Sequence, residues 1–149
     1  DDIYAMKDYE FAVKSGRKLL NNFPLADQQI RRNTWLVIAH ASFELANYKE
    51  GEEGYLNVLQ LTAENDKTRP DVVENLAAAI YKQGEQANKL SDYKTAAEHF
   101  LRVAVAAPTS KIRSSADYDG ATALMQLKDW DRAAEVLLAF RNNYAGHKL

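Results

Sequence analysis

The chain of 149 residues has no cysteine, only three prolines and only six glycines. Without cysteine there is no disulfide framework, no thiolate zinc site and no thiol nucleophile. That absence fits an oxidising compartment and a reducing one equally well. No apolar run approaches the ~18–20 residues that a membrane span requires. No basic-then-apolar segment opens the chain as a secretory signal would. Charge of one sign is also missing: 19 Lys and Arg stand against 21 Asp and Glu, for a net charge of −2. That balance gives nucleic acid no electrostatic foothold. The basic clusters Arg31-Arg32 and Lys111/Arg113 are too short to track a phosphate backbone and read as solvated helix ends.

What is present is helical periodicity. Apolar residues recur at spacings of three to five, and no run of alternating β-branched residues competes, so the chain reads as all-α with about seven helices. The first covers Asp2 to Asn22 and ends at Phe23-Pro24, because proline cannot continue a helix and turns its predecessor away from α. The second covers Asp27 to Ala46 with Asp27 as N-cap, and the third runs from Tyr48 to about Thr62. The polar stretch Ala63 to Lys67 is a loop. Thr68 caps a fourth helix, with Pro70 in its first turn, reaching about Lys89. Ser91 or Asp92 caps the fifth, and Thr109 or Ser110 caps the sixth, which runs to about Leu127. Asp129 caps the seventh, which fades near Tyr144-Ala145-Gly146.

A skeleton of residues repeats four times. It reads Tyr9, Ala12, Gly16, Leu19, Pro24, then Tyr48, Gly51, Tyr55, Val58, Ala63. It returns as Tyr93, Ala96, Phe100, Val103, Pro108 and as Trp130, Ala133, Leu137, Phe140, Ala145. An internal repeat of this kind decides the architecture. It divides the chain into a half repeat over 1–24 and three repeats over 25–64, 65–108 and 109–149. The half repeat lacks a first helix, so the chain is expected to be a fragment of a longer protein. Small residues at Ala39, Gly51, Gly84, Ala96, Ala121 and Ala133 are expected to let helix axes approach closely. No hairpin of this length buries its own stripe, so hairpins must stack side by side.

Residues suited to catalysis are scattered. His40, His99 and His147 share no helix at ligand spacing, so no metal site and no cofactor is expected. Glu50, Glu52 and Glu53 form a run, and Asp71 and Glu74 sit near a helix start, where acid suits the macrodipole. No Gly-rich phosphate loop, no G-x-S-x-G and no carboxylate pair in an apolar setting is found, so a non-catalytic protein is expected.

The repeat resembles the tetratricopeptide (TPR) family of helix–turn–helix repeats over nearly the whole chain. Trp35, Ile38, Ala39, Tyr48, Gly51 and Tyr55 carry the resemblance in the first complete repeat. Ile80, Gly84, Tyr93, Ala96, Phe100 and Pro108 carry it in the second, and Ala121, Leu124, Trp130, Ala133 and Leu137 in the third. The intervals Tyr9 to Tyr48, Tyr48 to Tyr93 and Tyr93 to Trp130 are 39, 45 and 37 residues, longer than the family's 34. The excess is expected in long first helices or in the loops before them. The resemblance implies a TPR-like α-solenoid, a right-handed superhelix with one concave face, acting as a protein–protein interaction scaffold. Long first helices and the Phe-Pro ending are similar to TPR lipoproteins of the bacterial envelope. That likeness implies an adaptor for an envelope protease, such as a C-terminal processing protease, or for assembly machinery. The implied location is the periplasm, anchored to the outer membrane, with the cytoplasm as the alternative.

Carrying the family's groove register onto this sequence gives Leu36, His40 and Phe43, then Tyr81 and Glu85, then Tyr118 and Thr122 as partner-binding residues. Their mixture of apolar and hydrogen-bonding groups suits an extended peptide or a partner helix. Packing in the repeat does not call for Leu36, Phe43, Tyr81 or Tyr118, although contact with a neighbouring second helix is an even alternative. The family's carboxylate clamp uses Lys and Asn at these places. Here they hold Leu36 and His40, Tyr81 and Glu85, Tyr118 and Asp119, so a receptor for acidic peptide tails is excluded. A second reading is self-association, through a docking surface at Tyr4, Tyr9 and Leu20 on the half repeat.

Overall fold

In the computed structural model the described residues are 2–144, so Ala145, Gly146 and His147 lie outside them. Among the described residues there are seven helices and no strand. They are α1 (Ile3–Asn22), α2 (Gln28–Glu44), α3 (Tyr48–Gln60), α4 (Arg69–Lys89), α5 (Tyr93–Ala106), α6 (Arg113–Gln126) and α7 (Trp130–Asn143). The expected all-α chain is therefore found. The longest is α4, at 21 residues, and a connection over 61–68 precedes it. The interval of 45 residues is thus filled both by helix and by loop.

Local chemistry sets the boundaries. Asp2, Asp27, Asp92 and Asp129 each accept a backbone N–H from the first turn of α1, α2, α5 and α7, satisfying donors the helix cannot satisfy itself. Thr68 stands directly before α4 and its carbonyl accepts from Val72 N–H, while its hydroxyl donates to Asp66 Oδ1. One expected cap fails. Ser110 accepts from Ile112 N–H, which closes a turn, and α6 begins only at Arg113. Phe23 and Ala107 end α1 and α5 in a non-helical conformation, each directly before a proline.

Three turns have the same form. Ala46, Ser91 and Lys128 adopt φ of 61°, 57° and 61°. In each, the residue after it donates back five positions, from Asn47 to Ser42, Asp92 to Ala87 and Asp129 to Leu124. The left-handed residue itself donates back three, to Phe43, Asn88 and Met125. This double closure is the Schellman C-cap. No glycine stands at these places, so each turn holds a side chain in a region L-residues avoid. The three turns follow one another at the same 45 and 37 residues as Tyr48, Tyr93 and Trp130.

The chain forms two compact units, one ending at Ala79 and one starting at Ile80. In the first, α1 packs on α2 and α2 on α3. Its interior holds Ile38, Ala39, Tyr55, Val58, Val72 and Leu76. A Cβ on Gly54 would stand 2.7 Å from Ala39 Cβ and 2.9 Å from its Cα, so the absence of a side chain sets the α2–α3 distance. The expected contact was Gly51, but a Cβ there would meet Ala39 O at an ordinary 3.5 Å. In the second unit α5 packs on α6 and α6 on α7. Ala96, Ala97, Phe100, Ala123, Leu124 and Ala133 form its core, edged by Tyr81, Tyr93 and Leu101. The Phe100 ring fills the space a Gly84 side chain would need, at 2.6 Å, and Leu101 does the same at Gly120, at 2.7 Å.

The two α3 glycines give opposite predictions. Gly54→Ala drives a methyl into the α2 backbone and is expected to destabilise by about 1–3 kcal/mol. Gly51→Ala relieves helix entropy without a clash and is expected to stabilise by roughly 0.5–1 kcal/mol. Urea unfolding of the two variants beside the parent measures both signs.

Candidate functional site

The second unit carries a polar cavity of about 370 Å³. Three of the expected binding residues line it: Tyr81 and Glu85 from α4 and Thr122 from α6. Asn88, Tyr93, Phe100, Asp119 and Gln126 complete most of its wall. Asp119, Thr122 and Gln126 are spaced at three and four residues, so they form one stripe on α6. Tyr81 lies against the Phe100 ring at 5.1 Å between centroids and donates its hydroxyl to Asp119 Oδ2. Burial, the hydrogen bond to Asp119 and the charges of Asp119 and Glu85 all push the Tyr81 phenol up. It therefore stays protonated at physiological pH and serves as a donor. Glu85 meets Lys82 at 3.3 Å on the exposed side of α4.

Tyr118 does not line this cavity. It turns to the Phe140 ring of α7, 6.0 Å away, and Phe140 in turn meets Tyr144. The Tyr144 hydroxyl donates to Asp117 at 3.0 Å and is pushed up to about 12, first by burial and then by that bond. Burial raises the Asp117 carboxyl, against the pull of Tyr144 and Arg113.

In the first unit Leu36, His40 and Phe43 share one face of α2, at spacings of four and three residues. Leu36 and Phe43 are half-buried, and His40 is exposed as a residue but has its ring part-buried where Nδ1 faces Tyr55. Phe43 meets the Tyr48 ring edge-on at 5.0 Å. His40 Nδ1 lies 2.7 Å from the Tyr55 hydroxyl, and the two rings are also edge-on. The phenol of Tyr55 is pushed up to about 12 by burial and the nearby Glu44 charge. Packing therefore does engage Phe43, Tyr81 and Tyr118, the alternative weighed evenly from sequence: each lies against an aromatic ring of a second helix. A sequence cannot separate that contact from a groove role, because both need a large flat side chain on the same helix face.

The basic residues read as solvated also differ. Arg32 is buried. Its Nε donates to Thr62 Oγ1 and its Nη2 to Thr68 Oγ1, both at 2.8 Å. The Thr62 hydroxyl donates to Val58 O, and Asp66 Oδ1 accepts from both the N–H and the hydroxyl of Thr68. These bonds hold the Asp66 carboxyl low, and Arg32 adds to them. Arg69 donates to the Leu59 and Thr62 carbonyls at 3.1 and 2.9 Å. Together these groups fix the end of α3 and the 61–68 connection. Arg113 is half-buried, donates to Pro108 O and lies 6.0 Å from the Tyr144 ring. His99 is half-buried with Nδ1 2.9 Å from Arg102 Nη2.

Among the described residues no three His, Cys, Asp or Glu side chains gather as metal ligands would. No described helix is long and apolar enough to cross a membrane. Gln126 is absent from the expected binding residues, and Asp119 enters the sequence reading only as a place where the carboxylate clamp fails. The signal that finds them is the stripe through Thr122. No protein-family model matches the chain, and no curated protein matches it.

His40 generates a pH prediction. Burial lowers its imidazole from the ordinary 6.5, and the Glu44 charge only partly offsets this. The unfolded chain therefore binds the proton more readily, and stability is lost as pH falls through and below that range. Tm is expected to fall between about pH 7 and pH 5, and His40→Gln is expected to flatten that part of the profile.

Proposed function

We propose that this chain is a non-catalytic helical-repeat scaffold, TPR-like, that holds an extended peptide or partner helix in its groove. The observation that carries the reading is the cavity of the second unit. There Tyr81, Glu85 and Thr122, taken from the groove register, line one space together with Asn88, Asp119 and Gln126. A wall of this mixture offers bonds to a peptide backbone and apolar area to its side chains. The solenoid arrangement and the four-part division at 24, 64 and 108 belong to this proposal. So does a role as an envelope adaptor for a protease or assembly machinery.

A second reading rests on a different surface. Ile3, Tyr4, Met6 and Phe11 of α1 are exposed, Tyr4 by 78% and Phe11 by 72%. Tyr9 and Leu20, placed on the self-association surface from sequence, are half-buried instead. An apolar depression of about 630 Å³ lies between Leu19, Phe23, Leu25 and Ile30, with Leu25 97% exposed. At the matching places in the later repeats stand Thr62 and Glu64, Ala107 and Thr109, so the repeat does not demand this apolarity. Self-association through it remains the alternative.

The first test is selection from a displayed library of random twelve-residue peptides. Retained peptides are expected to lose about tenfold or more in affinity on Glu85→Arg with Thr122→Arg, variants that spare the Tyr81 packing. Binding unchanged by that pair in a folded protein rejects the groove. The second is sedimentation over a wide concentration range. The scaffold reading expects a monomer, and a dimer broken by Leu25→Asp favours self-association.

A further inference from the structure

The cavity of the second unit sets two carboxylates beside aromatic rings, and we infer that it receives the guanidinium of an arginine side chain of the guest. This deepens the scaffold reading and rests on it. Glu85 and Tyr81 come from α4, Tyr93 and Phe100 from α5, and Asp119 from α6, so three helices converge on one space of about 370 Å³.

The charge balance of that space is negative. Lys89 also lines the cavity, one cation against Glu85 and Asp119. Lys82 meets Glu85 at 3.3 Å, but both side chains are more than 40% exposed. Such a pair is screened and weak, and it yields to a cation held inside the cavity. Asp119 accepts the Tyr81 hydroxyl, a neutral donor that leaves its charge uncancelled. The Tyr81 phenol registers the result, since after burial it responds to both carboxylates at one point.

Of the cations a peptide offers, the guanidinium fits best. Its fork of donors reaches carboxylates in two directions while its flat face lies on a tyrosine ring. An ammonium is more strongly hydrated and has no face to stack. A guest carboxylate would meet two like charges. An apolar side chain would strip water from Glu85 and Asp119 and leave them unpaired.

The test is an NMR titration of the 149-residue chain with four probes, the N-acetyl amides of arginine, lysine, norleucine and glutamate. The arginine probe is expected to shift the backbone signals of Tyr81, Glu85, Tyr93 and Asp119, with the norleucine and glutamate probes leaving them in place. Glu85→Gln with Asp119→Asn, in a protein whose other signals do not move, is expected to weaken that response by about tenfold or more. An equal response to lysine or norleucine, or one that survives the double variant, overturns the inference. The peptide selection separates the two proposals. Retained peptides without arginine enrichment overturn the arginine assignment and leave the groove standing. Arginine amide seated in the cavity while no peptide is retained does the reverse.

Discussion

At four helix crossings, one helix offers a residue without a side chain to the bulk of its neighbour. Gly54 lies on Ala39, Gly84 on the Phe100 ring, Gly120 on Leu101 and Gly16 on Ile38. Glycine inside a helix is unfavourable by roughly 0.5–1 kcal/mol against alanine, so its placement at every such contact needs a compensating gain. The gain is the depth of the ridge-into-groove contact. With the axes brought close, Ile38, Leu76, Phe100 and Leu124 lose essentially all their exposure. The axis separation then fixes everything built on the helix surfaces, including which side chains of α4 and α6 share a cavity.

The turns supply the second constraint. A helix that packs deeply on its neighbour must leave its own end in one direction. Three times the chain solves this with the same Schellman closure, and three times with a residue other than glycine. The residue following then caps the next helix, as Asp92 and Asp129 do with their side chains. One two-residue unit therefore ends one helix and starts another. That economy is why the Tyr or Trp opening each second helix keeps its phase with the turn although the intervals differ. Length variation is absorbed elsewhere, in the 21-residue α4 and the connection before it, where Arg32, Thr62, Thr68 and Asp66 lock the longer loop in place.

Much of this was legible in the sequence because it depends on local periodicity. The helices, the prolines ending α1 and α5, and the caps at Asp27 and Asp129 all follow from residues within a few positions. What escaped depends on residues far apart. Gly51 and Gly54 share a helix, and nothing nearby says which one faces Ala39. Arg32 looks like its neighbour Arg31, yet only Arg32 finds hydroxyls thirty positions away to satisfy it. Asp119 stands beside Tyr118 in sequence, but one residue along a helix turns the side chain about a quarter of the way round the axis. Thus Tyr118 meets α7 while Asp119 meets Tyr81.

The repeats within this one chain also separate what folding demands from what it leaves open. At the packing register the residue type barely changes: Tyr48, Tyr93 and Trp130, then Gly51, Ala96 and Ala133. At the register assigned to binding it varies more: Leu36 gives way to tyrosine at 81 and 118, and His40, Glu85 and Thr122 share no chemistry. If helix contact alone fixed these positions, the same neighbours would select the same chemistry each time. Phe43, Tyr81 and Tyr118 do contact second-helix rings, but each contact uses only one part of the side chain. The Tyr81 ring satisfies packing against Phe100, and a phenylalanine would do that equally well. Its hydroxyl satisfies Asp119, a carboxylate that the core has no need for. A part-buried edge that carries a charge the fold does not require is a property of the cavity rather than of the scaffold, and that is the ground for placing the proposed binding there.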